Sequence, residues 1–524
     1  MDTAQNLSPV ATQLVKSFIQ KVSENGDKKI SVNPFVAHFA SWYEKLRNAM
    51  EYREEEVILR ATIERILKRR LLLGGHGKTV AQPLLRELVW ARYFPNESLS
   101  ESLIDVVAKK IDLYLQLREQ ILAQKKFSEN VLNEWTYHLM SSDIARTLHP
   151  NKEKEAMVNF FYQLVYDDVT IVDDTTQTRD AQVYLAIRKS FAKDDIAFLR
   201  YNLFYQIFGQ LTDASVERIA NTFPKGYEEI DRQLHHRAKD KIFSYVKRRA
   251  AIFLILEDML RLQKEHFPTL IKDEEKLKQE VFDACEVRYA DVTSKVRRAI
   301  IRSVVFILLT KVIFAFAIEG TFEKFVYGNI MWNALVINTA IPPLLMIVVG
   351  LFVRVPRKEN SERIFTYIKA ALFEENPTLG NALSLTRDER LRNPFLQGIF
   401  SVLWVLAFVV SFGGLIYVLT RLNFTVVSQI VFIFFLAIVS FLAYRISLIP
   451  RAYMVGDKQG LVTPLVDFLF MPVIRVGRHL TEGIAQINVI IFIFDFIIET
   501  PFKGIFAFFE QWFFFLHAKR EELE

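Results

Sequence analysis

A single lysine, Lys311, lies near the middle of the apolar stretch Ile300–Ile318. A charge at the centre of a membrane-spanning helix costs at least about 2.5 kcal/mol, so such a residue normally faces a helix bundle or a water-filled cavity. Three carboxylates could neutralise it: Asp495 or Glu499, if the C-terminal tail enters the membrane, or Glu319 two turns along the same helix. Lys311 is therefore a candidate for transport chemistry or for a buried structural contact, and snorkelling to the membrane surface is the alternative.

Further polar residues interrupt the apolar stretches near Lys311 and in the C-terminal tail. Asparagines within a membrane helix can hydrogen-bond to neighbouring helices, and carboxylates can neutralise a buried cation. An open transport path would normally carry more polar residues than these stretches do, so the alternative is that these residues contribute only to helix packing. The complete set of candidate intramembrane residues is Lys311, Asn333, Asn338, Asp467, Asp495 and Glu499.

The glycine-rich segment LLLGGHGKT, residues 71–79, resembles a phosphate-binding loop only at first sight. That loop requires a glycine five positions before Gly77, where this chain has Leu72. It also requires a preceding strand, whereas a charged helical pattern precedes this segment. We therefore expect the end of a helix followed by a glycine-rich turn.

Two other clusters suggest metal binding but lack the spacing for it. His235 and His236 are adjacent, so on a helix their side chains would point about 100° apart. The aspartates at 167, 168, 173 and 174 lack the glycine and the terminal glutamate of a calcium loop, so a solvated loop is favoured. The sequence thus predicts no catalytic residue, no metal and no cofactor, and it favours a protein that is not an enzyme.

Four long apolar stretches, all after residue 295, determine the class of the protein. Each is long enough to cross a hydrocarbon core, which takes about 20 helical residues. The last three contain no Asp, Glu, Lys or Arg. They run Ile300–Ile318, Phe325–Val353, Ile399–Thr420 and Leu422–Tyr444. We therefore expect a multi-pass membrane protein.

Basic residues around these stretches predict the orientation. Lys and Arg cluster before the first stretch, between the second and the third, and after the fourth, whereas the two other connections are short and hold few of them. The positive-inside rule then places both termini in the cytoplasm. The N-terminus has no secretory signal pattern. We expect a bacterial inner-membrane protein in this orientation.

Residues 1–295 carry nearly equal numbers of basic and acidic residues and read as helical throughout. Ser8 and Pro9 predict a helix start, and VYDDVTIVDDTT could hold one short strand or form a loop. The balanced charge argues against nucleic acid as a partner. The one cysteine, Cys285, excludes an intramolecular disulfide.

The predicted fold is all-α, with a large soluble helical domain, a four-helix transmembrane bundle and C-terminal amphipathic or re-entrant helices. The expected domains are 1–295, cytoplasmic; 296–450, transmembrane with a cytoplasmic loop near 354–396; and 451–524, the tail, for which interfacial helices are preferred to a re-entrant hairpin.

No residue pattern identifies a biochemical activity. The favoured function is a membrane-anchored interaction or scaffold protein, in contact with the lipid bilayer and with a cytoplasmic protein partner or a second copy of itself. The alternative is a small ion or solute transporter or channel that uses the intramembrane charges.

Overall fold

The computed structural model describes residues 7–19, 28–32, 37–38, 41, 55–72, 74–264, 266–330, 332–385, 394–456, 463–485 and three short pieces between 508 and 516. Its contacts divide into two compact units. The helical unit comprises Leu7–Lys247 with Gly380–Leu385, and the membrane unit comprises Arg248–Leu379 with Thr386–Ile490. The expected all-α class is confirmed, since the elements are helices apart from two three-residue strands in the described part.

The helical unit contains ten helices and a two-stranded parallel sheet among its described residues. The predicted short strand is β1, and it pairs with β2 in the register Val169↔Leu383. The elements are α1 (Pro9–Ile19), α2 (Glu55–Leu71), α3 (Gly77–Trp90), α4 (Ser102–Ala123), α5 (Glu129–Leu148), α6 (Lys152–Val165), β1 (Val169–Ile171), α7 (Thr176–Ser190), α8 (Ile196–Phe208), α9 (Val216–Leu234), α10 (Lys239–Lys247) and, later in the chain, β2 (Leu383–Leu385).

Local sequence signals explain where these helices begin. Pro9 opens α1, and the hydroxyl of Ser8 accepts a hydrogen bond from the backbone N–H of Ala11 at 3.2 Å, as expected for an N-cap. Asp195 caps α8 in the same way through the N–H of Phe198 at 3.0 Å. Each cap satisfies a donor that the first turn of a helix leaves without an intrahelical partner.

Apolar stripes on these helices form one large core. In α9, the buried residues Val216, Ile219, Phe223 and Ile230 recur at helical spacing. The ring of Phe223 packs edge-on against Trp135 of α5, with ring centroids 5.9 Å apart. Burial of such apolar surface contributes about 25 cal/mol per Å², so these stripes hold the helices together.

The membrane unit begins with two short helices, α11 (Ala250–Gln263) and α12 (Phe267–Leu270), followed by α13 (Glu274–Phe314). A π-helical segment, Ala315–Gly320, joins α13 to α14 (Thr321–Tyr327) without a break. The remaining helices are α15 (Trp332–Leu351), α16 (Lys358–Phe373), α17 (Pro394–Arg421), α18 (Val426–Arg451) and α19 (Thr463–Ala485).

Three features of this unit differ from the expected domain layout. The expected boundary at residue 295 falls inside the continuous helix α13. The apolar helix α11 is as buried as predicted, but its contacts group it with the membrane unit. The connection expected as a loop near 354–396 contains the 16-residue helix α16. The helical periodicity and the hydropathy of the sequence identify apolar stretches. They do not show how far a charged helix continues beyond the end of such a stretch.

In the part of the chain that the structure describes, three helical rods are long and apolar enough to cross a membrane: Glu274–Tyr327, Gly398–Arg421 and Val426–Arg451. The fourth expected span corresponds to α15, whose apolar part, Leu335–Leu351, is shorter. The chain is therefore a membrane protein by the length and composition of its helices. On α17 most side chains, such as Val402 and Val405, are exposed and apolar, as a helix in contact with lipid requires.

Helices α13, α15 and α18 pack against one another, and α19 packs against α17 and α18. At the α18–α19 contact, a Cβ added to Gly477 would lie 1.9 Å from the carbonyl oxygen of Ala437. Gly477 therefore permits the close approach of these two helices. By contrast, Cβ atoms added to Gly413 and Gly414 of α17 would have no neighbour within 4 Å.

The described part of the C-terminal tail is thus a helix packed on two candidate spans. The interfacial or re-entrant arrangement expected for 451–524 stays a prediction, because most residues beyond Ala485 lie outside the described ranges.

Candidate functional site

Five polar side chains from five segments meet inside the membrane unit. They are Lys311 of α13, Glu319 of the π-helical segment, Glu323 of α14, Asn338 of α15 and Ser428 of α18, and all five are 0% exposed. We call this group the buried polar cluster. Burial of two carboxylates and an ammonium among apolar helices is costly unless they are paired and hydrogen-bonded.

Lys311 and Glu319 form the ion pair of the buried polar cluster. The Nζ atom of Lys311 lies 2.6 Å from Oε1 of Glu319. The same ammonium lies 5.0 Å from the ring centroid of Phe435 on α18, a distance at which the ring face attracts a cation. Of the three carboxylates considered as partners from the sequence, the structure places Glu319 against Lys311.

The π-helical segment explains how a lysine reaches a glutamate eight residues away on the same rod. In a regular α-helix, residues eight apart differ by about 80° around the axis. The wider turn of a π-helix delays this rotation, so Glu319 returns toward the side of Lys311. Glu323 follows four residues later on the same face. Such π-helical turns often occur at functional sites.

Asn338 and Ser428 connect the ion pair to two further helices. The Nδ2 atom of Asn338 donates to Oε2 of Glu319 and, at 3.3 Å, to the backbone carbonyl of Ser428. The Oγ atom of Ser428 lies 3.2 Å from Oε2 of Glu319 and 3.4 Å from Oε1 of Glu323. One hydroxyl thus stands between two carboxyl groups.

The buried polar cluster lies near one end of the helices, whereas Lys311 is located near the middle of its apolar stretch. Ser428 is the third residue of α18, and Asn338 is the seventh of α15. With a rise of about 1.5 Å per residue, these positions lie close to one end of the bundle. The long side chain of Lys311 therefore reaches from deeper in the bundle toward that end, where Glu319 and Glu323 stand.

The remaining candidates from the sequence are not brought to this site by any described contact. Asn333 and Asp467 belong to helices α15 and α19, but their side chains lie outside the described residues. Asp495 and Glu499 lie outside them altogether. Sequence reasoning missed Glu323 and Ser428. The spacing of Glu319 and Glu323 was the available signal, but both stood next to an expected external turn.

The glycine-rich segment of the helical unit forms the expected helix end and turn. Helix α2 ends at Leu71, and Gly74 has a φ of 79°, which favours glycine. The N–H of Gly77, at the start of α3, donates to the carboxylate of Asp112 at 2.7 Å. A side chain of the protein already occupies the position at which a phosphate-binding loop would hold its anion.

The histidine pair and the acidic loop are in contact with each other. The Nε2 atom of His236 lies 2.9 Å from Oδ2 of Asp174, whereas His235 pairs with Asp231 on its own helix. Within the described ranges, no three His, Cys, Asp or Glu side chains could hold one metal ion. The contact of His236 with Asp174 links α9 to the loop after β1.

Buried ion pairs also occur in the helical unit. Burial favours a raised pKa for Glu64, but the charges of Lys68 and Arg60 outweigh this effect and hold the pKa at about 2. Arg188 is 3% exposed, and it contacts both oxygens of Glu155 at 2.8 Å and Asp194 at 2.6 Å. The pair of Arg188 with Glu155 joins α6 to α7 by charge-assisted hydrogen bonds, whereas the contacts of Glu64 with Lys68 and Arg60 lie within α2.

No protein-family model, curated protein or solved structure matches the chain. A function has to be inferred from the geometry of the chain itself.

Proposed function

We propose that the membrane unit binds and translocates protons, with the buried polar cluster as the proton-binding site. One observation carries this proposal: the hydroxyl of Ser428 lies within hydrogen-bonding distance of two carboxyl groups, those of Glu319 and Glu323. A serine hydroxyl has one proton and can donate to one of them only. The second contact is a hydrogen bond when the second carboxyl is protonated and donates to Ser428.

Burial supports the same assignment. The carboxyl groups of Glu319 and Glu323 are both 0% exposed, and a buried carboxylate is costly unless charges or hydrogen bonds offset its desolvation. Glu319 accepts hydrogen bonds from Lys311 and Asn338, which stabilise its anion. The proposal assigns the proton to Glu323, whose Oε1 lies 3.4 Å from the hydroxyl of Ser428.

A directed hydrogen-bonded chain then runs through the cluster. The protonated Glu323 donates to Ser428, Ser428 donates to Glu319, and Glu319 accepts from Lys311. Reversal of the chain moves one proton from Glu323 to Glu319, which becomes neutral and weakens its hold on Lys311. Among the described residues, Oδ1 of Asn338 is a buried acceptor without a donor, and a water molecule that carries the proton onward would satisfy it.

Four crossings with both termini in the cytoplasm, in a bacterial inner membrane, are part of the proposal. Helix α15 has 20 residues, or about 30 Å at 1.5 Å per residue, enough to complete a fourth crossing. This topology puts the buried polar cluster near the outer face. Cysteines introduced at Lys324 and Arg357 should label from outside and inside respectively, with little background because Cys285 is buried. The opposite labelling pattern would contradict the orientation.

Proton flux in proteoliposomes tests the proposed function. With a pH-sensitive dye inside and an imposed membrane potential, wild-type protein should acidify the lumen. Glu323→Gln should abolish the flux because the amide cannot exchange a proton, and Ser428→Ala should interrupt the relay. Gly413→Ala is a matched control because its Cβ meets open space on α17. Absence of flux with wild type, or equal flux with Glu323→Gln, would contradict the proposal.

An interaction role for the helical unit is the second candidate. A cavity of about 310 Å³ in this unit is lined by more basic than acidic side chains, including Arg60, Arg146 and Lys154. Such a lining suits an acidic segment of a cytoplasmic partner. If this role holds, Lys154→Glu should reduce cross-linking of the full chain to that partner in native membranes. Unchanged cross-linking would contradict it.

A further inference from the structure

A second polar site lies in the membrane unit, beyond the C-terminal ends of α15 and α18, whereas Asn338 and Ser428 of the buried polar cluster lie near the N-terminal ends of these helices. It is a cavity of about 780 Å³ between the segment that joins α15 to α16 and the segment that follows α18. Leu351, the last residue of α15, lines it, and so do Met454 and Val455, which follow the end of α18 at Arg451, so the cavity is located where two membrane helices end. Both apolar and basic side chains line it.

Three arginines, Arg354, Arg357 and Arg363, line the basic side, together with one carboxylate, Glu359. Arg357 is the N-cap residue of α16, and no side chain caps that helix terminus. The positive end of the helix dipole adds to the field of the arginines. The cavity therefore carries a net positive charge and attracts anions.

The polar wall is fixed in place by hydrogen bonds. The Nη1 atom of Arg363 donates to the carbonyls of Val455 and Gly456, at 3.3 and 3.2 Å. Asn360 donates to the carbonyl of Tyr453 at 2.8 Å and accepts from the N–H of Val455 at 2.8 Å. These bonds attach the segment after α18 to the first turns of α16. A site held in this way loses little conformational entropy when a ligand binds.

The apolar side of the cavity continues onto the lipid-facing surface. Leu351 and Phe352 line the cavity and are 80% and 78% exposed. Farther along α15, the side chains of Leu344, Ile347 and Val348 are also exposed. A ligand with a charged head and a hydrocarbon tail matches this surface, because its tail can lie along α15 while its head contacts the arginines.

We propose that this cavity binds the phosphate headgroup of an anionic membrane lipid. Basic pockets between membrane helices on the cytoplasmic side are suited to such headgroups, and guanidinium groups bind phosphate oxygens with two parallel hydrogen bonds. A free phosphate would use the arginines but not the exposed apolar surface of Leu351 and Phe352. The lipid uses both, and it would stabilise the junction of α15, α16 and α18.

Thermal unfolding of the full chain in detergent, titrated with lipid, tests this proposal. Phosphatidylglycerol should raise the unfolding midpoint in a saturable way, and phosphatidylcholine should not. The double variant Arg354→Gln/Arg357→Gln should raise the half-saturating concentration about 30-fold, which corresponds to about 2 kcal/mol for two arginines. Both side chains are exposed, so the variant should fold. Its unfolding midpoint without lipid should therefore equal that of wild type.

A matched control removes two charges elsewhere on the same unit. Arg297→Gln/Arg298→Gln changes two exposed arginines of α13 that do not line the cavity, and its half-saturating concentration should stay within about twofold of wild type. If both double variants weaken phosphatidylglycerol binding equally, the lipid is attracted by the general surface charge, and the proposal of a specific site is overturned. Equal stabilisation by inorganic phosphate and by phosphatidylglycerol would overturn the assignment to a lipid.

Discussion

The buried ion pair between Lys311 and Glu319 predicts a strongly non-additive response to mutation. Lys311→Met removes the ammonium and leaves Glu319 as a buried carboxylate without its closest cation. Glu319→Gln removes the carboxylate and leaves the ammonium of Lys311 buried. The double variant Lys311→Met/Glu319→Gln removes both charges at once and keeps side chains of similar size.

The magnitude follows from the burial of both partners. Both are 0% exposed and in direct contact, at 2.6 Å. Removal of one partner of such a pair costs about 3–5 kcal/mol, whereas replacement of the whole pair by neutral side chains is often neutral or stabilising. We expect each single variant to lose about 3–5 kcal/mol and the double variant to lose much less. Lys311→Glu, which would bring three carboxyl groups together, should be the least stable.

Unfolding in mixed micelles, followed by tryptophan fluorescence during titration with a denaturing detergent, measures these differences. The four proteins of the double-mutant cycle give the coupling energy of the pair directly. A coupling of several kcal/mol supports the contact. Additive effects, with a coupling energy below about 0.5 kcal/mol, would show that Lys311 and Glu319 do not interact in the folded protein.

Three further predictions test other parts of the structure by the unfolding of the full chain. Gly477→Ala should separate α18 from α19 and lower the unfolding midpoint, whereas Gly414→Ala, whose Cβ meets open space, should not; equal midpoints would contradict that packing. Because the pKa of Glu64 is lowered from 4.5 to about 2, its stabilising effect is complete above pH 4.5 and is lost as the pH falls toward 2. The stability difference between wild type and Glu64→Gln should therefore shrink from about 3 kcal/mol at neutral pH to near zero at pH 2, and a constant difference would contradict this. Arg188→Met should destabilise the protein by about 3–5 kcal/mol because it leaves two carboxylates near each other, and a loss below about 1 kcal/mol would show that Arg188 is not the cation that holds them.

The sequence predicted the helical class because apolar residues recur at helical spacing, and it predicted the α1 boundary because Ser8 and Pro9 are local signals. It also singled out Lys311, since a charge inside an apolar stretch is costly wherever the stretch packs. The boundary between the helical unit and the membrane unit could not be predicted from these sequence patterns. Helix α13 continues through the change from charged to apolar residues, and only its contacts show which helices it joins.

The composition of the buried polar cluster depends on geometry that a one-dimensional pattern does not contain. Ser428 lies 90 residues from Asn338 in the chain, and a serine in an apolar helix has many roles. To predict that Glu323 belongs to the cluster, one must know that the helical rod continues through a π-helical segment instead of ending at an external turn. Residues that act together across helices become visible only when the helices are packed.

The central claim is that the buried polar cluster holds one exchangeable proton, and infrared difference spectroscopy of the reconstituted protein tests it most directly. A protonated carboxylic acid has a carbonyl band that a carboxylate lacks. Wild-type protein should show this band, Glu323→Gln should lack it, and Gly413→Ala should retain it. A wild-type spectrum without a protonated carboxyl, or a band that persists unchanged in Glu323→Gln, would contradict the claim.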